Sequence, residues 1–240
     1  MSTDEVAVPE LSLRPATTDD LPTVAGLYLR VREAAVPAMP PQTHTVEEVQ
    51  AYVGGWDLGR REVWLAELDG SPVAFLVLEG PWLDSLYVLP EAARQGVGSA
   101  LLDLAKALRP DGFCLWVFES NAPARAFYER HGLVELEHTD GSGNEERAAD
   151  LKMAWPGLQP LAFYRGLIDE VDEQLGDLLA RRAALTRAVQ AHKTDPARDP
   201  EREREIAAAL ARRAPALGHE RLSRIVHAII TESLDAATEL

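Results

Sequence analysis

The sequence is short of several things at once. It has one cysteine in 240 residues, so no intramolecular disulfide can staple the fold. That residue, Cys114, lies inside the apolar run Phe113-Cys-Leu-Trp-Val-Phe118 and reads as a buried core thiol. No apolar stretch approaches the roughly 20 residues of a membrane-spanning helix. The first ten residues are acidic and contain proline, unlike the basic and apolar regions of a secretion signal. These absences make a cytoplasmic protein the expectation. Positive charge is scarce as well: 24 Lys and Arg against 39 Asp and Glu give a formal net charge of −15. The deficit is concentrated, with 12 basic against 25 acidic side chains in residues 1–157 and 12 against 14 in residues 158–240. An acidic surface repels phosphate backbones and anionic lipid, which argues against nucleic acid and membranes as partners and suits an amine substrate.

What is present is the ordinary globular mixture, 46% hydrophobic and 26% charged, and the length favours two domains over one. Residues 11 to 155 alternate strand-like and helix-like segments. A strand at Leu11 to Arg14 leads through the cap signal Thr17-Thr-Asp-Asp20 into a helix that reaches Ala35. A short helix near Val46 to Val53 and three strands within residues 62–89 follow. Then come a helix from Val97 to Leu108, a strand from Phe113, a helix from Ala122 to His131, and two strands around a turn at Gly141 to Asn144. This predicts an α/β domain over residues 1–156. Prolines and a glycine in Trp155-Pro-Gly-Leu-Gln-Pro160 mark a boundary, and residues 157–240 read as three helices. In the long first one, Tyr164, Ile168, Val171, Leu175, Leu178, Leu185 and Val189 step by threes and fours. Such a sustained seam pairs with another helix.

Within the first domain, Gly96 and Gly98 stand between a strand and an apolar helix. Glycines let backbone approach closely, and the free N–H groups of a helix start favour an anion such as pyrophosphate. A plain turn has the same signature. The context narrows the choice, because Asn121-Ala-Pro-Ala-Arg-Ala-Phe-Tyr128-Glu-Arg-His-Gly-Leu133 follows directly after the next strand. On these motifs, residues 11–155 resemble the GNAT superfamily of N-acetyltransferases, which have a mixed central sheet flanked by helices and use acetyl-CoA. The resemblance implies that Leu86, Tyr87 and Val88 offer backbone groups to the pantetheine arm. It implies also that Arg94, Gln95, Gly96, Val97, Gly98 and Ser99 cradle the pyrophosphate, that Asn121 contacts the cofactor, and that Tyr128 protonates the departing thiolate. A phenol with an ordinary pKa near 10 is a sensible donor to a developing thiolate. The sequence departs from the family pattern at two points. Ala93 stands where the loop usually has Gln or Arg, and Trp116 where some relatives keep a glutamate base. Asp84 and Glu119 are the remaining candidates for that base, while Asn144, Glu145 and Glu146 form either a loop over the amine or a polar hairpin tip.

In the second domain, Val171, Arg182 and Lys193 are spaced by eleven, which at about 100° per residue puts them on nearly one face of the helix. Arg182 interrupts the apolar seam, and a guanidinium there needs an anionic partner, either a carboxylate of the protein or a ligand. The run Tyr164-Arg-Gly-Leu-Ile-Asp-Glu-Val-Asp172, then Leu178-Leu-Ala-Arg-Arg182, Lys193, Asp199-Pro-Glu-Arg-Glu203 and Ile229-Ile-Thr-Glu-Ser233, resembles the all-helical AroQ-type chorismate mutases. That implies an intertwined homodimer in which Arg182 and the other copy's Arg165 clamp carboxylates. By the same resemblance Lys193 donates to the ether oxygen, Asp199 and Glu203 engage the hydroxyl side, and Arg202 and Ser233 complete the pocket. A glutamine usual four residues after the serine is Ala237 here. Losing one such donor costs about 2.7 to 4 kcal/mol of transition-state stabilisation.

The expectation is a bifunctional enzyme: an acetyl-CoA-dependent N-acetyltransferase joined to a chorismate mutase of aromatic amino acid biosynthesis, with no metal in either site. Two alternatives stay open. The helical domain is a dimerising, chorismate-type ligand sensor, or the acetyltransferase domain is vestigial beside a working mutase.

Overall fold

The computed structural model describes residues 9–192 and 198–238. It divides into two compact units between Tyr164 and Arg165. In the first unit the strands are β1 (Leu11–Pro15), β2 (Arg61–Leu68), β3 (Ser71–Glu79), β4 (Trp82–Val88), β5 (Phe113–Phe118), β6 (Val134–Thr139) and β7 (Asp150–Trp155). They form one sheet in the order β1-β2-β3-β4-β5-β7-β6. Its helices are α1 (Leu21–Ala34), α2 (Val46–Gly54), α3 (Val97–Leu108) and α4 (Ala122–Arg130). The expected elements are all found, and their starts are fixed by side chains. Thr17 with Asp20, and Thr45 with Glu48, make reciprocal capping boxes ahead of α1 and α2. Asn121 accepts the Ala124 N–H at the start of α4.

Alternation along the strands sends side chains to two separate cores. Leu76, Leu78, Phe113, Leu115, Val117, Leu151 and Met153 lie on one face beneath α3 and α4. Leu65, Phe75 and Val77 lie on the other beneath α1 and α2. Cys114 is buried, as the apolar run around it predicts.

The sheet is antiparallel except where β4 meets β5. Those two strands run parallel and pair at one position only, Trp82 with Cys114, before they separate. On the other edge of β4, Val77 pairs with Ser85 and Leu78 with Leu83, so Asp84 is an extra, bulged residue. Bulges bend a strand and re-aim a side chain, and this one lies beside the opening. After β7 the chain turns through Gly157 at φ +68°, where a Cβ would come within 2.4 Å of the Asp111 backbone, so only glycine fits.

The remaining helices are α5 (Pro160–Gln190), α6 (Pro200–Arg213) and α7 (Gly218–Thr238). The first turn of α5 belongs to the first unit because Phe163 sits directly on Gly112. In the second unit Ala207 of α6 and Leu222 and Val226 of α7 are buried. Along α5, by contrast, no residue is buried. Its seam is exposed, with Val171 62%, Leu178 60% and Leu185 59% accessible. Among the described residues no helix covers these positions of the seam. Among the described residues no helix is long and apolar enough to cross a membrane.

Candidate active sites

A cavity of about 1010 Å³ occupies the gap between β4 and β5 and reaches both faces of the sheet. On the α3/α4 face it is lined by Leu86, Val88, Asn121, Phe127 and Tyr128, and on the α1/α2 face by Met39, Trp116, Phe118, Thr139 and Asp150. Because β4 leaves β5 after one pair, the backbone edge of Leu86, Tyr87 and Val88 faces this gap without a strand partner. The Tyr87 ring itself turns into the second core, 5.3 Å from Tyr28 and 5.4 Å from Phe75.

The glycine loop sits where the sequence places it. Arg94 and Gly96 both adopt left-handed backbone, φ 62° and 85°, and α3 starts at Val97. The amides of Val97, Gly98 and Ser99 thus open the helix with no acceptor inside it. Gly98 lies so close to Val88 and Phe127 that an added Cβ would touch both at 3.6 Å. The Gln95 side chain folds back onto the Glu91 carbonyl at 2.7 Å and braces the loop. Local motifs do not reveal the bridge from His131 to Ser99. His131 Nδ1 lies 2.8 Å from the Phe127 carbonyl, which only accepts, so Nδ1 carries the hydrogen. In the neutral ring Nε2 then accepts from the Ser99 hydroxyl at 3.1 Å. This orients the serine at the N-terminal end of α3.

Tyr128 lines the cavity and is 7% exposed. Burial alone pushes its phenol above the ordinary range, so it keeps its proton at neutral pH and can give it to a departing thiolate. Of the two candidate bases, Asp84 lines the cavity and Glu119 does not. The hairpin carboxylates are committed elsewhere. Glu146 pairs at 2.7 Å with Arg32, a cation only 3% exposed, and Glu145 meets His44 at 2.6 Å. Asn144 ties its own turn to Ala148 and Asp150. The turn between β6 and β7 is thereby fastened to α1 and to the segment before α2, and its residues Ser142, Gly143 and Asn144 line the cavity.

In the second unit a cavity of about 380 Å³ brings together Arg182, Asp199, Arg202 and Glu203, with Arg198 beside them. Arg182 reaches across from α5 to donate to the Ser233 hydroxyl at 2.6 Å and the Ile229 carbonyl at 3.2 Å. Among the described residues it meets no carboxylate. Asp199 is in the cavity wall, and one of its oxygens caps α6 at the Glu201 and Arg202 amides. Arg198, which the sequence reading missed, grips both oxygens of Glu203 at 2.7 and 3.0 Å. This guanidinium holds the Glu203 carboxyl below the usual range, against the opposing pull of burial. Its position next to Asp199 was the only available signal. Arg165 is exposed on α5 and lies outside the lining of this cavity. Lys193 lies outside the described residues.

A mixed sheet split between two central strands, with helices on both faces, has the fold of the GNAT acetyltransferases. Residues 59–135 match the acetyltransferase (GNAT) domain family and residues 164–237 the family chorismate mutase type II. The chain therefore carries a GNAT acetyltransferase domain followed by a chorismate mutase domain. It is 28% identical over 152 residues to the peptidyl-lysine N-acetyltransferase YiaC of Escherichia coli K12, covering 62% of this chain and 99% of that one. It is also similar to the solution structure of YjaB from Escherichia coli in its apo form, with TM-score 0.51, 22% identity and coverage of 62% of this chain and 99% of that one. The ribosomal L7/L12 α-N-protein acetyltransferase RimL, solved with coenzyme A, matches with TM-score 0.50 at 16% identity over 61% of this chain and 94% of that one.

Proposed function

We propose that the chain is a bifunctional cytoplasmic enzyme. Its first domain transfers acetyl from acetyl-CoA to an amine, and its second rearranges chorismate to prephenate in a homodimer. The observation that carries the first activity is the cavity through the sheet, with Tyr128 on one face and open space for an acceptor on the other. The thioester lies along the unpaired edge of Leu86 to Val88, and the pyrophosphate lies at the amides of Val97 to Ser99. The amine nitrogen attacks the thioester carbonyl, and Asp84 takes the amine's proton through the open side. As the tetrahedral intermediate collapses, the C–S bond breaks and Tyr128 protonates the thiolate. The family match and the coenzyme A bound to RimL support this cosubstrate.

The second activity rests on Arg182, a partly buried cation with no carboxylate partner among the described residues. Chorismate is a dicarboxylate, and its rearrangement is intramolecular. The site therefore needs only to hold a compact conformer and favour charge developing on the ether oxygen. Arg182 takes one carboxylate as a planar two-pronged donor. Glu203, kept ionised and aimed by Arg198, accepts from the substrate hydroxyl. Arg165 and Lys193 complete the site by analogy with the family, Arg165 from a second copy. The exposed seam of α5 supports this dimer: burying one such aliphatic side chain is worth about 1.5 kcal/mol or more, and the seam offers several.

The test is chorismate consumption and prephenate formation by the purified full-length protein, beside Arg182→Ala. Turnover in the wild type that is lost in the variant supports the mutase. Chorismate binding without turnover points to a ligand-sensing domain instead, an outcome that Ala237 in place of the usual glutamine makes worth measuring.

A further inference from the structure

The acceptor side of the first cavity has a definite chemistry. On β5 the side chains of Trp116 and Phe118 point away from the Phe113, Leu115 and Val117 face, and both line the cavity. Trp116 remains 45% exposed. Its ring is held parallel to that of Trp82, at 9° and 6.4 Å between centroids, an offset stack that fixes the plane of the indole. Trp82 is in turn covered by the Lys152 ammonium at 5.1 Å. Phe118 is covered by Arg32 at 5.6 Å. The charged side chains among the described residues lining the cavity are Asp84 and Asp150. Two cations stand nearby: Arg32 is paired with Glu146, and Lys152, opposite Trp116 across β5 and β7, lies over the Trp82 ring. An exposed, oriented aromatic wall thus shares the cavity with two carboxylates and, among the described residues, no lining cation.

Resting on the acetyltransferase reading, we propose that the acceptor is a cationic arylalkylamine, a primary ammonium on a short chain from a planar ring. The ring stacks on Trp116, and the ammonium is drawn in between Asp84 and Asp150. One carboxylate takes a proton from the ammonium, and the free amine adds to the thioester carbonyl and gives its second proton to the other carboxylate. As the tetrahedral intermediate collapses, the C–S bond breaks and Tyr128 protonates the thiolate, its phenolate regaining a proton from solvent. An anionic or strongly hydrated acceptor meets the wrong charge and leaves the indole exposed.

The experiment compares acetyl transfer to 2-phenylethylamine, to its saturated match 2-cyclohexylethylamine, and to a lysine peptide. Stacking beyond simple area burial predicts a kcat/KM ratio of about threefold to tenfold for the aromatic over the saturated amine. Trp116→Ala brings that ratio to about one, and Trp116→Phe keeps it. In parallel, 2-phenylethylamine is titrated against tryptophan fluorescence in the presence of coenzyme A. The expected quench is lost in Trp116→Phe. A wild-type ratio near one, a preference for the lysine peptide, or a ratio unchanged in Trp116→Ala overturns the aromatic acceptor and leaves the acetyltransferase standing. No transfer to any amine, with the Trp116-dependent quench intact, removes the acetyltransferase reading and leaves the aromatic site. Loss of both overturns both.

Discussion

The two units differ in how much of their apolar surface they bury for themselves. In the first, both faces of the sheet are covered, and the phenol that would protonate the leaving group is 7% exposed. In the second, a 31-residue helix carries the key arginine yet has no buried residue. The difference teaches that a site can be legible in a sequence without being complete in one chain. The first cavity holds the phenol and a candidate base together, and Ala93 at the start of the glycine loop lines it too. The second gathers Arg182, Arg198, Arg202 and Glu203 but leaves Arg165 outside and an apolar stripe uncovered. On the proposed dimer these are one fact, since the surface that lacks cover belongs to the helix that lends Arg165 to the other copy.

The comparison breaks most visibly if the seam is charged. Leu175→Asp with Leu178→Asp is expected to dissociate the dimer and lower chorismate turnover at least a hundredfold, with acetyl transfer unchanged, read from both assays on one preparation. Tyr128→Phe does the reverse. Loss of a general acid costs about a hundredfold or more in acetyl transfer, while chorismate turnover and acetyl-CoA affinity stay as they were. A third change tests how tightly the first unit is closed. Arg32→Ala leaves Glu146 without its buried partner and is expected to cost about 3 kcal/mol, seen as a lower denaturant midpoint for the first unit.

The smallest effect belongs to the outer clasp. His44 is exposed, and its hydrogen bond to Glu145 raises its pKa above the ordinary 6.5. A raised value means the clasp contributes fully below that ordinary value and is lost as pH rises through the higher one. An NMR titration of His44 is expected to show the elevated pKa and its return toward 6.5 in Glu145→Gln.

The elements were legible because each rests on local chemistry: capping boxes at Thr17 and Thr45, glycines at 96 and 98, the alternation in Phe113 to Phe118. Asn121 and Tyr128 were named from the family resemblance, and both line the first cavity. What could not be read depends on distant pairs. Arg32 and Glu146 are 114 positions apart, and His131 meets Ser99 across 32; neither pair leaves a periodic trace. Trp116 was noticed as a missing glutamate, and only the alternation of β5 in the folded sheet shows that its ring lines the cavity. Arg198 was hidden by its neighbour Asp199, which matched the family pattern. Asp84 could be named as a candidate, but its bulge follows from how β3 pairs with β4.

The most direct test of the account follows both activities per protomer while the protein is diluted, with the oligomeric state measured by sedimentation at the same concentrations. The account predicts that acetyl transfer per protomer stays constant while chorismate turnover falls as dimer gives way to monomer. A monomer that rearranges chorismate at an undiminished rate would contradict it.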